Sequence, residues 1–144
     1  MGTTTFSGPI KAGTVREGAS ANAGFVKMAQ SAAWTQTAAS AATTGMIIPA
    51  NSQITAITLY ITTAPGAADL SMGTSIAATE LFTALAVGTA ADVSKVALTS
   101  ATVPDMDAWT DVGTSDVTLY VLSSAATTGR GFITVEYIQN NNLA

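Results

Sequence analysis

The stretch ITAITLYITTAPGAADLSMG, Ile54–Gly73, changes side with each residue through its centre. Ile57, Leu59 and Ile61 fall on one face of an extended chain, and Thr58, Tyr60 and Thr62 on the other. A period of two is the mark of a strand with one buried face. The second face is β-branched and polar, as in an antiparallel sheet with a wet side. Ala64-Pro65-Gly66 supplies a turn and Asp69–Met72 a return strand, so the stretch predicts a hairpin. The outline recurs in SDVTLYVLSSAATTGRGFITVEY, Ser115–Tyr137, where Thr118-Leu119-Tyr120 repeats Thr58-Leu59-Tyr60. Val117, Leu119 and Val121 alternate, then Ile133, Val135 and Tyr137, with Ala125–Gly129 between them as the joint of a second hairpin. Solenoids need roughly three or more copies of a unit. The echo is therefore shared strand grammar.

Outward from these segments the pattern continues. Phe25–Trp34, Thr43–Ile48 and Val93–Val103 read as strands. Between two of them, Pro49-Ala50-Asn51 makes a turn in which Asn51 tolerates the left-handed conformation. One segment breaks the rule. In AATELFTALAV, Ala77–Val87, the positions of Leu81, Phe82 and Leu85 have helical spacing, which predicts a short helix or helical turn capped by Thr79. Short strands spaced about ten residues apart, with Gly, Pro, Ala and Thr in the turns, describe an all-β fold. The expectation is an antiparallel β-sandwich or jelly-roll-like barrel over residues 25–144, with at most one short helix.

Residues 1–24 (MGTTTFSGPIKAGTVREGASANAG) lack periodicity. They read as an extended N-terminal arm with one short strand at Thr14–Glu17, and a disordered tail is the plain alternative. The isolated apolar residues Phe6, Ile10 and Val15 favour an arm that docks.

Composition narrows the function. The chain has 144 residues, 48% of them apolar but only 10% charged, against about 25% charged in ordinary soluble domains. Such a neutral, Ala- and Thr-rich surface suits a chain that works against partners. Residues 1–30 carry Lys11, Arg16 and Lys27 against Glu17, and all other positions together carry Lys95 and Arg130 against eight acids. Nucleic-acid binding, which needs several cations along a phosphate track, is not expected. A membrane span is not expected either, since no apolar run approaches about 18 residues. MGTTTFSGPIK lacks the pattern of a secretory leader, and Phe6 stands where a myristoylation signal has Ser or Thr.

The sequence contains no His and no Cys. Serine triads, cysteine nucleophiles and Cys/His zinc sites in their usual forms are thereby excluded. The acidic stretch DMDAWTDVGTSD places Asp105, Asp107, Asp111 and Asp116 at positions 1, 3, 7 and 12 of a calcium-loop spacing. It departs from that motif where the motif is strictest. Trp109 is at position 5, Thr110 replaces the glycine at 6, and the last ligand is an aspartate. A turn-forming acidic loop is the expectation, with no metal or cofactor required. Paired carboxylates of a glycosidase would need a cleft around Asp105 and Asp107 that nothing in the sequence predicts. Tyr60, Tyr120 and Trp109 are candidate interface aromatics, with core packing the plain alternative for Trp34 and Trp109.

Taken together, TTFSGPIKAGTVREG, NAGFVKMAQSA, IPANSQITAITLYITTA, DLSMGTS, TELFTALAVGTAADV and the ending FITVEYIQN resemble the capsid decoration, or cement, proteins of tailed bacteriophages. The resemblance covers most of the chain and includes no catalytic signature. Asn51 stands where such proteins more often have Gly, and the turn accepts either. The resemblance implies a virion protein on the capsid exterior, a homotrimer whose partner is the major capsid protein. It would clamp neighbouring subunits and stabilise the expanded head. On that reading Phe6, Ile10, Lys11, Val15 and Arg16 form the arm contact. The alternative is a receptor- or glycan-binding β-module of a virion fibre or cell surface, and an enzyme is not expected.

Overall fold

The computed structural model describes residues 27–35, 40–63, 69–87, 92–95, 106–126 and 128–139. Among the described residues there are eight strands: β1 (Lys27–Thr35), β2 (Ala42–Ile48), β3 (Gln53–Thr63), β4 (Asp69–Gly73), β5 (Phe82–Ala86), β6 (Asp92–Lys95), β7 (Val117–Ser123) and β8 (Arg130–Ile138). They form two four-stranded antiparallel sheets, ordered β1-β8-β3-β6 and β2-β7-β4-β5. The arm residues Phe6, Ile10, Lys11, Val15 and Arg16, the strand expected at Thr14–Glu17, the turn Ala64-Pro65-Gly66, Asp105 and residues 96–103 lie outside the described residues.

The pairing has a simple logic. β1 pairs with β8, β2 with β7, β3 with β6 and β4 with β5, as though one long hairpin had been folded at β4–β5. Rolling that ribbon brings β3 against β8 and β4 against β7. This is the jelly roll, the way eight antiparallel strands close over one core as two interlocked Greek keys. The expected all-β sandwich is what forms.

The inward residues are those the alternation selected. Ile57, Leu59, Ile61, Leu119, Val121, Ile133, Val135 and Tyr137 are all buried, together with Ile48, Leu70, Met72 and Phe82 from the other strands. Inner faces of the two sheets supply a common core, and its burial drives folding at roughly 25 cal/mol per Å² of apolar surface. Asn51 has φ 55°, the left-handed turn expected of it.

Two expectations are corrected. The segments Ile54–Gly73 and Ser115–Tyr137 are not hairpins, because β3 and β4 belong to different sheets, as do β7 and β8. A two-residue loop forces its flanking strands to pair. The five residues 64–68 do not, and strands with one apolar face gain as much by stacking across a core as by lying side by side. The repeated Thr-Leu-Tyr thus sits once in each sheet, with Leu59 and Leu119 both fully buried.

Nor is there a helix at Ala77–Val87, where β5 lies instead. Leu70 pairs with Leu85 and Met72 with Phe82, leaving Thr83 and Ala84 opposite Ser71 alone. Ala84 takes φ 49° and donates its N–H to Ser71 Oγ at 3.0 Å. This bulge inserts one residue and converts the strand spacing of two into a spacing of three. It reads as helix in the sequence. Among the described residues the helical turn is α1 (Asp107–Thr110), in the acidic loop.

Candidate interaction surface

The outward parity of β8 and β3 carries large side chains where threonines would suffice. Ile133, Val135 and Tyr137 face the core, so Phe132 must face out, and it is 50% exposed. Tyr60, between the buried Leu59 and Ile61, is 42% exposed, and Val93 on β6 is 53% exposed. The register sets them shoulder to shoulder, with Tyr60 opposite Phe132 on one side and Val93 on the other. Ala33 of β1 stands opposite Phe132 and completes a row across the four strands of this sheet. Neighbouring strands are about 4.8 Å apart, so the row forms one continuous ridge.

The surroundings are small and nearly neutral. Thr134 Oγ1 donates to Ser31 Oγ at 3.1 Å in the adjacent row, opposite Thr58. Lys27 and Glu136 form an ion pair at one end of the sheet. Arg130 lies at the other end, its carbonyl accepting a 3.1 Å hydrogen bond from Thr62 Oγ1. Exposed pairs of this kind contribute about 0–1 kcal/mol. Their effect here is to cancel charge beside the ridge.

Of the candidate aromatics, Tyr60 is in this row. Tyr120 is half-buried on the outer face of the other sheet, beside Thr43 and Gly73, so the two tyrosines do not come together. Trp109 is 2% exposed, and its indole Nε1–H donates to the Leu81 carbonyl at 2.7 Å. It is a core residue of α1, and the interface role considered for it is not available in this fold. Phe132 and Val93 were the residues missed. Phe132 could have been found, because an aromatic in the outward parity of Ile133, Val135 and Tyr137 has no core to join.

The acidic loop is a structural clasp. Asp111 Oδ1 accepts the Gly113 N–H at 2.8 Å, and Asp116 Oδ1 accepts the Ala50 N–H at 2.9 Å. Two backbone bonds, Asn51 N–H to the Gly113 carbonyl at 2.7 Å and Val112 N–H to the Ser52 carbonyl at 3.0 Å, tie it to the β2–β3 turn. These two carboxylates each accept a backbone N–H in a separate turn, which is what short acidic side chains do in loops.

A second carboxylate organises the segment before β5. Glu80 accepts hydrogen bonds from the Ser75 hydroxyl and, at 3.2 Å, from the Thr79 N–H. Burial pushes its carboxyl up. The Ser75 hydroxyl and the backbone N–H groups of Glu80, Thr79 and Ser75 outweigh that and hold it below the ordinary carboxylate value. Gly73 has no room for a side chain, since a Cβ there would stand 2.8 Å from the Thr79 backbone nitrogen as well as against the Glu80 carboxylate.

The edges of the sheets differ. The Gln30 side chain acts as a spare peptide group: its Nε2 donates to the Ile47 carbonyl at 2.6 Å, and its Oε1 accepts the Ile47 N–H at 3.3 Å. β2 is also bulged between Thr43 and Ile47, and its edge is thereby closed. β1 runs in unbroken register with β8 from Lys27 to Thr35.

Two solved structures share this fold. A chain of the acidic stable capsid structure of Helicobacter pylori bacteriophage KHP30 superposes with a TM-score of 0.56 at 16% identity, over 81% of this chain and 90% of that one. A chain of the cyanophage Pam1 capsid asymmetric unit does so with a TM-score of 0.50 at 21% identity, over 87% of this chain and 94% of that one. At these identities the likeness is one of fold. No protein-family model and no curated protein matches the sequence.

Proposed function

We propose that the protein is a structural component of a phage virion. In this reading it binds the outside of an icosahedral capsid and clamps neighbouring major-capsid subunits, stabilising the expanded head. The observation that carries the reading is the jelly roll shared, over at least 81% of the chain, with chains of two phage capsid structures. A fold alone does not assign a role. The composition agrees with it independently: 10% charge, no His, no Cys, and an apolar ridge on a neutral sheet face.

The mechanism is additive. A homotrimer that touches several capsomers converts the later contacts into intramolecular ones, so modest contacts give high avidity. The N-terminal arm adds area beyond the sandwich through Phe6, Ile10 and Val15, while Lys11 and Arg16 steer it to acidic patches. No step of this role requires turnover, cofactor or metal, and the protein acts as a binder, not an enzyme.

Co-sedimentation with expanded empty capsids of the same phage tests the reading. Saturable pelleting of the full chain at a fixed ratio to the major capsid protein supports it. Weaker pelleting of a full-length Phe6→Ser, Ile10→Ser variant supports the arm contact, and unchanged pelleting refutes that part alone. No pelleting at micromolar concentration refutes the capsid role and turns attention to glycan binding at the exposed Tyr60 and Phe132 rings.

A further inference from the structure

We infer that the outer face of the β1-β8-β3-β6 sheet, centred on the Phe132–Tyr60–Val93 ridge, is the face that meets the capsid shell. Its occupant is an apolar, uncharged ledge of the shell. This inference rests on the capsid-binding reading and adds to it which side of the sandwich docks.

Three observations point to this face. The ridge is contiguous, with three large apolar side chains between 42% and 53% exposed in direct register on three adjacent strands. Scattered apolar residues are normal on a surface, but a contiguous patch marks a contact. Folding does not require it, because β3 and β8 supply the core with Ile57, Leu59, Ile61, Ile133, Val135 and Tyr137, on the opposite parity to Tyr60 and Phe132.

Charge is the second observation. Beyond residue 30 the sequence carries eight acids against two cations. Among the described side chains, this face holds only Glu136 of those acids, and Lys27 neutralises it. Asp69 is on β4 of the other sheet, while Glu80, Asp107, Asp111 and Asp116 lie in loops or in α1. Among the described side chains the charges of this face are the Lys27–Glu136 pair and Arg130, at its two ends, which leaves the row of the ridge itself uncharged, as the centre of a protein–protein contact is.

The third is where the chain enters. Lys27, the first described residue, starts β1 at the edge of this sheet, and 26 residues precede it. From Lys27 to the ridge at Ala33 is about 20 Å along the strand, while 26 extended residues reach up to about 85 Å. A stretch of that length reaches well past the ridge, so an arm contact and a ridge contact are compatible with one partner. The other sheet has Ile47 as its large exposed apolar residue, with Tyr120 and Leu122 half-buried.

The test uses the full chain, expanded empty capsids, and three readouts: a binding isotherm, a melting temperature and a solution mass. A Tyr60→Thr, Phe132→Thr variant keeps β-forming residues on the strands, and Val93→Lys places a charge on the edge strand, where lysine is tolerated. Each raises the half-saturation concentration about tenfold or more, as loss of a central apolar anchor does, with mass and melting temperature unchanged. Ile47→Thr, on the opposite sheet, leaves binding as it was. The inference is overturned if the ridge variants bind like the parent, or if Ile47→Thr is the one that weakens binding. It is also overturned if the ridge variants dissociate into smaller species, which would assign the ridge to a second copy of the chain. A parent chain that does not pellet at all sinks the capsid-binding reading and this inference with it, whereas a pelleting parent with unaffected variants sinks only the inference.

Discussion

Gly131→Ala is the sharpest test of how the two central strands of the ridge-bearing sheet fit together. Gly131 is buried in β8, and a Cβ there would stand 2.0 Å from the Tyr60 carbonyl oxygen, 3.0 Å from its carbon and 3.2 Å from Ile61 Cα. Relief needs a displacement of about 1.2 Å, since carbon and oxygen in contact sit near 3.2 Å. The obstacles are backbone atoms, so no rotamer change relieves the clash. β8 is also hemmed in by β1 and β3, and β3 by β8 and β6. Overpacking a core costs about 1–3 kcal/mol, and a backbone obstacle places this case at about 3. With an unfolding entropy near 2.1 cal/mol/K per residue over the chain, the melting temperature falls by roughly 10 °C. Thermal unfolding of the full chain followed by circular dichroism, at one protein concentration, measures it. Thr134→Ala, two residues along the same strand, serves as the control and shifts the melt by no more than about 2 °C. If Gly131→Ala melts within about 2 °C of the parent, β3 and β8 can separate freely and the tight approach does not constrain the sheet. The same substitution presses on the peptide that carries Tyr60, so the capsid binding proposed above is expected to weaken along with stability.

Three further outcomes are expected. Trp109→Phe keeps the ring in the core but removes the indole N–H from the buried Leu81 carbonyl, at a cost of about 1–3 kcal/mol in denaturant unfolding; a loss under about 0.3 kcal/mol would mean that the bond contributes nothing. Glu80→Gln costs about 1–2 kcal/mol at neutral pH, because the acceptor of the Ser75 and Thr79 hydrogen bonds loses its charge. The folded carboxyl is held below its ordinary value of 4.5. Its contribution is therefore present above about pH 4.5 and is lost as the pH falls through the lower folded value, so the parent and variant melting curves should converge in acid; a gap that widens in acid would show the opposite sign of coupling. Asn51→Gly, at φ 55°, should change stability by no more than about 0.5 kcal/mol while Asn51→Val costs about 1–2, since a β-branched residue resists the left-handed region; equal costs would remove the conformational explanation.

Period-two alternation placed Ile57, Leu59, Ile61, Leu119, Ile133 and Val135 in the core, and all six are buried. That follows from the strand alone, because side chains on an extended chain must alternate whatever lies above them. The left-handed Asn51 was legible for a similar reason, since a turn between two strands has few solutions and its residues state them. The absence of a histidine or cysteine base, and the neutral surface, were likewise properties of composition.

The tertiary structure decided what a one-dimensional pattern cannot carry. Two strands joined by several residues can lie side by side or stack across a core, and both arrangements hide the same apolar face. The sequence of Ile54–Gly73 therefore fits either, and only the roll of all eight strands sends β3 and β4 to opposite sheets. Helical spacing at Phe82 and Leu85 came from a bulge whose cause, Ser71, is on another strand. The ridge has the same origin. Tyr60, Val93 and Phe132 are far apart along the chain, each is unremarkable where it stands, and cross-strand register alone makes them neighbours.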